Sequence, residues 1–142
     1  MRIFLIALLF PFLTFADITP ASVIQSVNEQ RVQNGLPALT ENATLTQIAL
    51  LRAYDTARTH DWTHTPSDGL DYITLARFEG YRWTYIGENM ANGVTVSIYT
   101  SSLMAAWMRS PEHRTNILGN YTETGVAIYG GYVVEEFGSL TN

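Results

Sequence analysis

The chain has 142 residues and a formal net charge of −5, and all eight of its basic residues are arginine. An acidic chain without a basic stripe cannot neutralise a run of phosphates, so nucleic acid and anionic membrane surfaces are disfavoured as partners. There is no cysteine. Disulfides and thiol chemistry are therefore excluded, and a packed core must stabilise the fold.

The N-terminus has the pattern of a secretory signal peptide. Arg2 supplies a positive start, an apolar run covers residues 3–15, and Ala16 ends a small-x-small cleavage site. The run is shorter than the roughly 20 residues that span a membrane, although an uncleaved anchor stays an alternative. We predict a signal peptide over 1–16, one secreted domain over 17–142, in the extracellular space or periplasm, and no stable membrane span after cleavage.

Two long helices are predicted at the start of the mature chain. Thr19 is a good N-cap ahead of Pro20, and Gly35 favours a left-handed helix end, so the first helix lies between them. A second helix is predicted from Asn42 to about Arg58. The inner stripe of the first helix comprises Val23, Ile24, Val27 and Arg31. The stripe of the second comprises Leu45, Ala49, Ala53 and Ala57.

Two further helices and a strand follow. A short third helix is predicted from about Leu70 to Phe78, ending at Gly80, and a fourth from about Val96 to Arg109. Between these helices, Tyr81 to Ile86 is predicted to form a strand.

The end of the chain has a hairpin pattern. Two β-rich runs, Gly125 to Tyr129 and Tyr132 to Phe137, are joined by Gly130-Gly131, a two-residue turn that tolerates positive φ. Helices followed by an antiparallel sheet indicate the α+β class. Glu135 and Glu136 are adjacent in a strand whose side chains alternate, so they cannot form one carboxylate pair and one should face solvent.

Three separated segments carry polar residues in patterns typical of a pocket wall. They are His64 to Gly69, Gly87-Glu88-Asn89, and Trp107 to Leu118. Each begins or ends at a Gly, Pro or Asn, as chains do where they turn.

These segments, with the two opening helices, Arg77-x-x-Gly80-Tyr81, Gly125-Val126 and Phe137-Gly138, resemble the CAP superfamily. This superfamily includes cysteine-rich secretory proteins, venom antigen 5 and plant pathogenesis-related proteins, and the resemblance is to its short, cysteine-free bacterial branch. It covers nearly the whole mature chain. The resemblance implies an α-β-α sandwich with a small antiparallel sheet between helices, and a cleft that holds two His and two Glu.

Carried over by position, three of those four cleft residues are present. His64 takes the first His, Glu88 the first Glu and His113 the second His, whereas the fourth position holds Ser110. Glu112 is nearby, but its spacing from Trp107 differs. Two imidazoles and a carboxylate are ligand types that suit zinc or magnesium with an open position. We expect the cleft to be lined also by Asn89, Ser110 and Arg114.

Two other interpretations of these residues stay open. His60 and His64 have the spacing of a zinc protease motif, provided that the second helix continues through them. However, Asp61 stands where such a site has its Glu. The purely structural interpretation is that His113 bonds backbone near a helix end and that Glu88 caps a turn.

The sequence favours a non-catalytic, monomeric binding module whose cleft holds a divalent cation or an extracellular small-molecule, lipid or cell-wall ligand. One alternative is a metal-dependent hydrolase of peptide or cell-wall polymer, with Glu88 as general base. Another is an adhesion or interaction domain of the cell envelope. The fold alone does not decide between them.

Overall fold

The computed structural model describes residues 17–92 and 99–141. The predicted signal peptide therefore lies outside the described residues. The elements are α1 (Pro20–Gln33), β1 (Thr40–Glu41), α2 (Ala43–Thr59), α3 (Tyr72–Phe78), β2 (Trp83–Ala91), α4 (Thr100–Arg109), α5 (Pro111–Ile117), β3 (Glu123–Tyr129) and β4 (Tyr132–Leu140). In the described part of the chain, no helix has the length and apolar character that a membrane crossing needs.

The strands form one sheet in the order β1-β3-β4-β2, with helices on both of its faces. β4 pairs antiparallel with β3 and with β2, which is an edge strand. β1 pairs parallel with β3, so the sheet is mixed rather than purely antiparallel as predicted. β1 was not predicted because a strand of two residues is too short to show the alternation of apolar and polar residues that identifies strands.

The predicted ends of the first two helices are confirmed. Thr19 and Ser22 form a reciprocal capping box at the start of α1, and Gly35 after its end has φ +75°. At the start of α2, the Asn42 side chain accepts hydrogen bonds from the backbone amides of Thr44 and Leu45. Both helices are thus fixed by local hydrogen bonds that their own sequences supply.

The later helices begin at different residues from those predicted. α3 begins at Tyr72, because the Asp71 side chain accepts a hydrogen bond from the amide of Thr74 at 2.8 Å and caps the helix there. The predicted start of the fourth helix, Val96, lies outside the described residues. Tyr99 is extended, and the described part of α4 begins at Thr100.

The predicted hairpin is confirmed. β3 and β4 are joined by Gly130 and Gly131, whose φ angles are +58° and +83°. Both lie in the left-handed region that the tight turn requires.

Small residues bring α2 close to one face of the sheet. Ala49 and Ala53 pack against Met90, Ala127 and Val134. At Gly125 the approach is closer still, because a Cβ there would collide with the backbone of α2. The small residues predicted on α2 therefore act as its contact surface with the sheet.

The opposite face packs against α1, α4 and α5. Its core includes Val23, Val27, Trp107, Ile117 and Phe137. These residues complete the three-layer arrangement of helix, sheet and helix, which is the predicted α-β-α sandwich.

Arg31 is buried within this second layer, as its place on the inner stripe predicts. Its guanidinium donates hydrogen bonds to the carbonyl oxygens of Pro37, Ile117, Gly119 and Tyr121, at 2.8 to 3.1 Å. A charged side chain is accepted in the core because its donors are matched by carbonyl acceptors.

The prediction that either Glu135 or Glu136 faces solvent is wrong. Both are fully buried. Their side chains do alternate between the two faces, but a helical layer covers each face of β4. The sequence of these two residues does not reveal that both faces of the strand are buried, because burial depends on which helices cover the strand.

Candidate functional site

The Gly87-Glu88-Asn89 segment lies within a strand, so Glu88 does not cap a turn as the structural alternative had it. β2 extends from Trp83 to Ala91, and Glu88 and Asn89 pair with Glu136 and Glu135 on β4. Consecutive side chains of a strand point to opposite faces, so Glu88 and Asn89 serve different sides of the sheet.

Glu88 forms a buried salt bridge with Arg52 of α2. The Nε of Arg52 donates to Oε2 of Glu88 at 2.7 Å, and Nη2 of Arg52 lies 3.2 Å from Oε1. Both side chains are fully buried. Arg52 also donates to the carbonyl oxygens of Thr63 and Leu70, which ties the loop after α2 to the same site.

Arg52 is a site residue that our sequence analysis missed. It follows Ile48 by four positions and precedes Thr56 by four, so it lies on the buried stripe of α2. An arginine on an apolar helix stripe signals a buried anionic partner, and that signal was available in the sequence.

His64 completes the contacts of the Glu88 carboxylate. Its Nδ1 lies 2.8 Å from Oε1 of Glu88, and its side chain is half exposed. This hydrogen bond outweighs burial and raises the pKa of His64 above its ordinary value. Burial alone would raise the pKa of Glu88, but the hydrogen bonds from His64 and Arg52 outweigh it and hold that pKa below its ordinary value.

Glu136 lies directly across from Glu88, on the sheet face covered by α2. Burial, and then the negative charge of Glu88, hold the pKa of Glu136 well above its ordinary value. Among the described residues, neither oxygen of Glu136 has a hydrogen-bond donor. Protonation satisfies the group, because a neutral carboxyl can itself donate to Glu88.

Side-chain amides fasten α5 to β2. Nδ2 of Asn89 donates to the carbonyl oxygen of His113 at 3.1 Å. Nδ2 of Asn116 donates to Oδ1 of Asn89 at 2.9 Å and to the carbonyl oxygen of Glu88 at 3.0 Å. These bonds set the position of α5 relative to the carboxylate of Glu88.

His113 lies on the inner side of α5. Its ring stacks on Trp107, with centroids 6.0 Å apart and an interplanar angle of 21°. Burial, and then the nearby charge of His64, lower the pKa of His113 below its ordinary value. His113 is therefore neutral near pH 7, while His64 is the more basic of the two imidazoles.

A cleft of about 490 Å³ opens where these elements meet at the β2 edge of the sheet. Its lining residues are His64, Tyr72, Ile86, Gly87, Glu88, Pro111, Glu112, Thr115 and Asn116. The two predicted cleft residues found in this lining are His64 and Glu88. The lining does not include the other four predicted residues, His113, Asn89, Ser110 and Arg114. Asn89 is bonded to α5, His113 stacks on Trp107, and Ser110 joins α4 to α5.

The described residues do not fit a three-ligand metal site. Within residues 17–92 and 99–141, no group of three His, Cys, Asp or Glu side chains is placed to hold a metal ion. The physical reason lies in Glu88, whose two oxygens already contact the Arg52 guanidinium and the His64 imidazole. Metal binding stays a prediction.

The zinc protease spacing does not lead to a helical pair of histidines. α2 ends at Thr59, and His60 is its C-cap with φ +59°. The chain leaves the helix at this residue, so His60 and His64 do not share a helix face.

A family model and a known bacterial protein each match most of this chain. The model of the "Cysteine-rich secretory protein family" matches residues 24–137. The uncharacterized protein YkwD of Bacillus subtilis is 32% identical over 120 residues, which cover 83% of this chain and 43% of that protein.

Three solved structures resemble the fold. A Bacillus anthracis extracellular protein containing an SCP domain has a TM-score of 0.75 at 21% identity, covering 84% of this chain and 39% of that one. A Staphylococcus aureus cysteine-rich secretory protein gives 0.74 at 23% identity, with 84% and 38% covered. An outer surface protein of Borrelia burgdorferi gives 0.74 at 19% identity, with 90% and 100% covered.

These likenesses confirm the predicted fold. The chain spans about two fifths of the length of YkwD and of the first two structures, and the whole of the Borrelia burgdorferi protein. Two of the structures are described as an extracellular protein and an outer surface protein.

Proposed function

This chain belongs to the cysteine-rich secretory protein family, and on that premise we propose that it is a secreted binding module. Its cleft takes a neutral, hydroxyl-rich ligand, of the kind that a cell-wall saccharide presents. The ligand is held by hydrogen bonds and is not turned over.

The state of Glu88 carries the proposal that the cleft binds without catalysis. A general base works best when its pKa lies near the working pH, which for a carboxyl group means a raised pKa. Glu88 has the opposite property, because the hydrogen bonds from His64 and Arg52 hold its pKa low despite its burial. A carboxylate that is fixed on two sides is a poor proton acceptor and a well-oriented hydrogen-bond acceptor.

The lining of the cleft supports a polyhydroxylated ligand. Glu112 supplies an exposed carboxylate, Thr115 a hydroxyl and His64 an imidazole, while Tyr72 offers a ring and Ile86 an apolar wall. Sugars bind through such a combination of polar groups and an apolar face. The carboxylate of Glu112 disfavours anionic ligands.

The proposal is tested by titrating the full chain with tri-N-acetylglucosamine and with soluble cell-wall fragments while the backbone amide resonances of Gly87 and Thr115, in the cleft lining, are followed by NMR. We expect saturable shifts that are lost in His64→Asn. The matched control is His60→Asn, which makes the same change outside the cleft at a left-handed position that Asn tolerates. Saturable binding that survives in His64→Asn would remove the cleft assignment.

A second assay separates binding from hydrolysis. Release of reducing ends from the same fragments is measured over time, with and without a chelator. We expect none above the rate without protein. Chelator-sensitive release that Glu88→Gln suppresses would replace the proposed module by the metal-dependent hydrolase. Capture of the chain by whole cells without saccharide binding would favour the adhesion domain.

A further inference from the structure

A second cavity, of about 510 Å³, lies at the other end of β2. Its lining residues are Arg77, Gly80, Tyr81, Arg82, Trp83 and Thr141. It shares no lining residue with the cleft around Glu88. Its volume is in the range of sites that hold small organic molecules.

The end of α3 explains why two arginines line one cavity. The amide of Tyr81 donates to the carbonyl oxygen of Ala76, and the amide of Gly80 donates to that of Arg77. This is a Schellman ending, in which Gly80 adopts φ +72° and reverses the chain. The reversal brings Arg82, just past the turn, to the same cavity as Arg77 in the last helical turn.

The side chains of Arg77 and Arg82 are both exposed to solvent. In the described part of the chain, neither side chain forms a hydrogen bond or ion pair. This distinguishes them from Arg31, Arg52 and Arg58, which are each bonded to acceptors. Two unpartnered guanidinium groups at one concave site make this part of the surface positive, although the protein as a whole is acidic. A positive concave site favours an anion.

Trp83 gives the cavity an aromatic wall. It is half-buried, and it packs against a core cluster that includes Ile48 and Leu75, so its indole is held in place. A fixed indole next to guanidiniums suits a ligand that joins a flat apolar ring to an oxyanion. Guanidinium groups pair with phosphate and carboxylate through two parallel hydrogen bonds.

We propose that Arg77, Arg82 and Trp83 form a binding site for a small organic oxyanion, a phosphate or carboxylate carried on a ring. The site is independent of the saccharide cleft. This site selects anions because it is lined by arginines, whereas the cleft is lined by the carboxylates of Glu88 and Glu112, which disfavour anions.

The test uses the full chain and three probes: phenyl phosphate, benzoate and inorganic phosphate. Binding is read from the indole N–H resonance of Trp83 by NMR, assigned through Trp83→Phe. We expect phenyl phosphate or benzoate to shift this resonance saturably and to bind more tightly than inorganic phosphate. The tighter of the two ring probes identifies the preferred oxyanion.

Three variants test the two arginines. Arg77→Gln and Arg82→Gln should each weaken binding about tenfold or more, because each removes a hydrogen bond to a charged group. Arg109→Gln is the matched control, since Arg109 is exposed on α4 and lies outside the cavity. It should leave binding unchanged.

Three results would overturn the site. These are no saturable shift with any probe, equal loss in all three arginine variants, or no loss in Arg77→Gln and Arg82→Gln. Equal affinity for phenyl phosphate and inorganic phosphate would contradict the proposal that Trp83 binds the ring of the ligand. Thermal unfolding of each variant shows that the fold is intact, since exposed substitutions change stability little.

Discussion

Glu88 and Glu136 lie directly opposite each other on β2 and β4, and Arg52 is hydrogen-bonded to Glu88. One guanidinium is thus hydrogen-bonded to the first of these buried carboxyl groups and acts on the second only through its charge. Burial, and then the charge of Glu88, hold the pKa of Glu136 well above its ordinary value, so Glu136 stays neutral. The three groups together carry no net charge near neutral pH, which is why they can be buried beneath the cleft.

Removing Arg52 should destabilise the protein strongly. Arg52→Met leaves Glu88 buried without its cation, and breaking a buried ion pair in this way costs about 3–5 kcal/mol. We expect that loss in the free energy of unfolding at pH 7, measured with urea. The loss should shrink at acidic pH, where Glu88 can take up a proton. Arg109→Met serves as the exposed control, and an equal effect of the two changes would contradict the buried pair.

His64 should titrate above its ordinary pKa of 6.5. The hydrogen bond to Glu88 favours the imidazolium and outweighs burial, so Glu88→Gln should lower the pKa of His64. The NMR titration of the ring Cε1–H resonance measures both values, with His60→Asn used for assignment. A pKa of His64 that is unchanged in Glu88→Gln would show that the contact is not formed in solution.

The raised pKa of His64 also determines the pH range in which the His64–Glu88 contact stabilises the fold. Because its folded pKa is raised, the stabilisation is fully present below pH 6.5 and is lost as the pH rises through the folded value. Urea unfolding of His64→Asn should therefore differ from that of the natural sequence more at pH 6 than at pH 9. The reverse order would contradict the sign of the shift.

The raised pKa of Glu135 predicts that stability falls as the pH rises from about 4.5 to about 8. Burial raises the pKa of Glu135 to about 8, against the hydrogen bond from Thr124 and the charge of Arg31, whereas the ordinary value is 4.5. As the pH rises between these values, the unfolded chain releases a proton that the folded chain keeps. The free energy of unfolding then falls by up to about 1.4 kcal/mol per pH unit.

Glu135→Gln should remove this contribution to the pH dependence. The measurement is urea unfolding at intervals from pH 5 to pH 8, with the exposed Glu41→Gln as control. Glu136 has a raised pKa as well, so the single variant should flatten the slope and the double variant with Glu136→Gln should flatten it further. An unchanged slope in the double variant would contradict protonation of both groups.

Zinc and magnesium titrations of the full chain test the metal prediction. We expect binding to be weak compared with four-ligand structural sites, because Arg52 already occupies the Glu88 carboxylate. If the predicted site of His64, Glu88 and His113 forms when metal binds, heat that saturates should disappear in both His64→Ala and His113→Ala. Tight binding that survives either change would place any metal site elsewhere in the chain.

Local chemistry made the helix ends and the hairpin predictable. Thr19, Asn42 and Gly130-Gly131 each determine their element through bonds or φ angles within a few residues. The start of α3 was misplaced by two residues because Asp71 caps the helix, so the first helical residue is Tyr72 and not Leu70.

The site was harder to predict because its contacts are long-range. Glu88 was identified from its motif, but its partners Arg52 and Glu136 come from α2 and β4, and their meeting depends on how the layers stack. Asn89 and His113 were assigned to the cleft by resemblance. Asn89 instead donates to the carbonyl oxygen of His113, since adjacent residues of a strand face opposite layers and Asn89 therefore faces α5. The ring of His113 stacks on Trp107.

The four carbonyl bonds of Arg31 have a kinetic consequence. One side chain of α1 holds the loop at Pro37 and the turn from Ile117 to Tyr121, which are distant in sequence. Neither segment can open fully without breaking part of this shared anchor. We therefore expect their amide protons to exchange with solvent as one cooperative unit, and the end of α5 beside the cleft to share its protection.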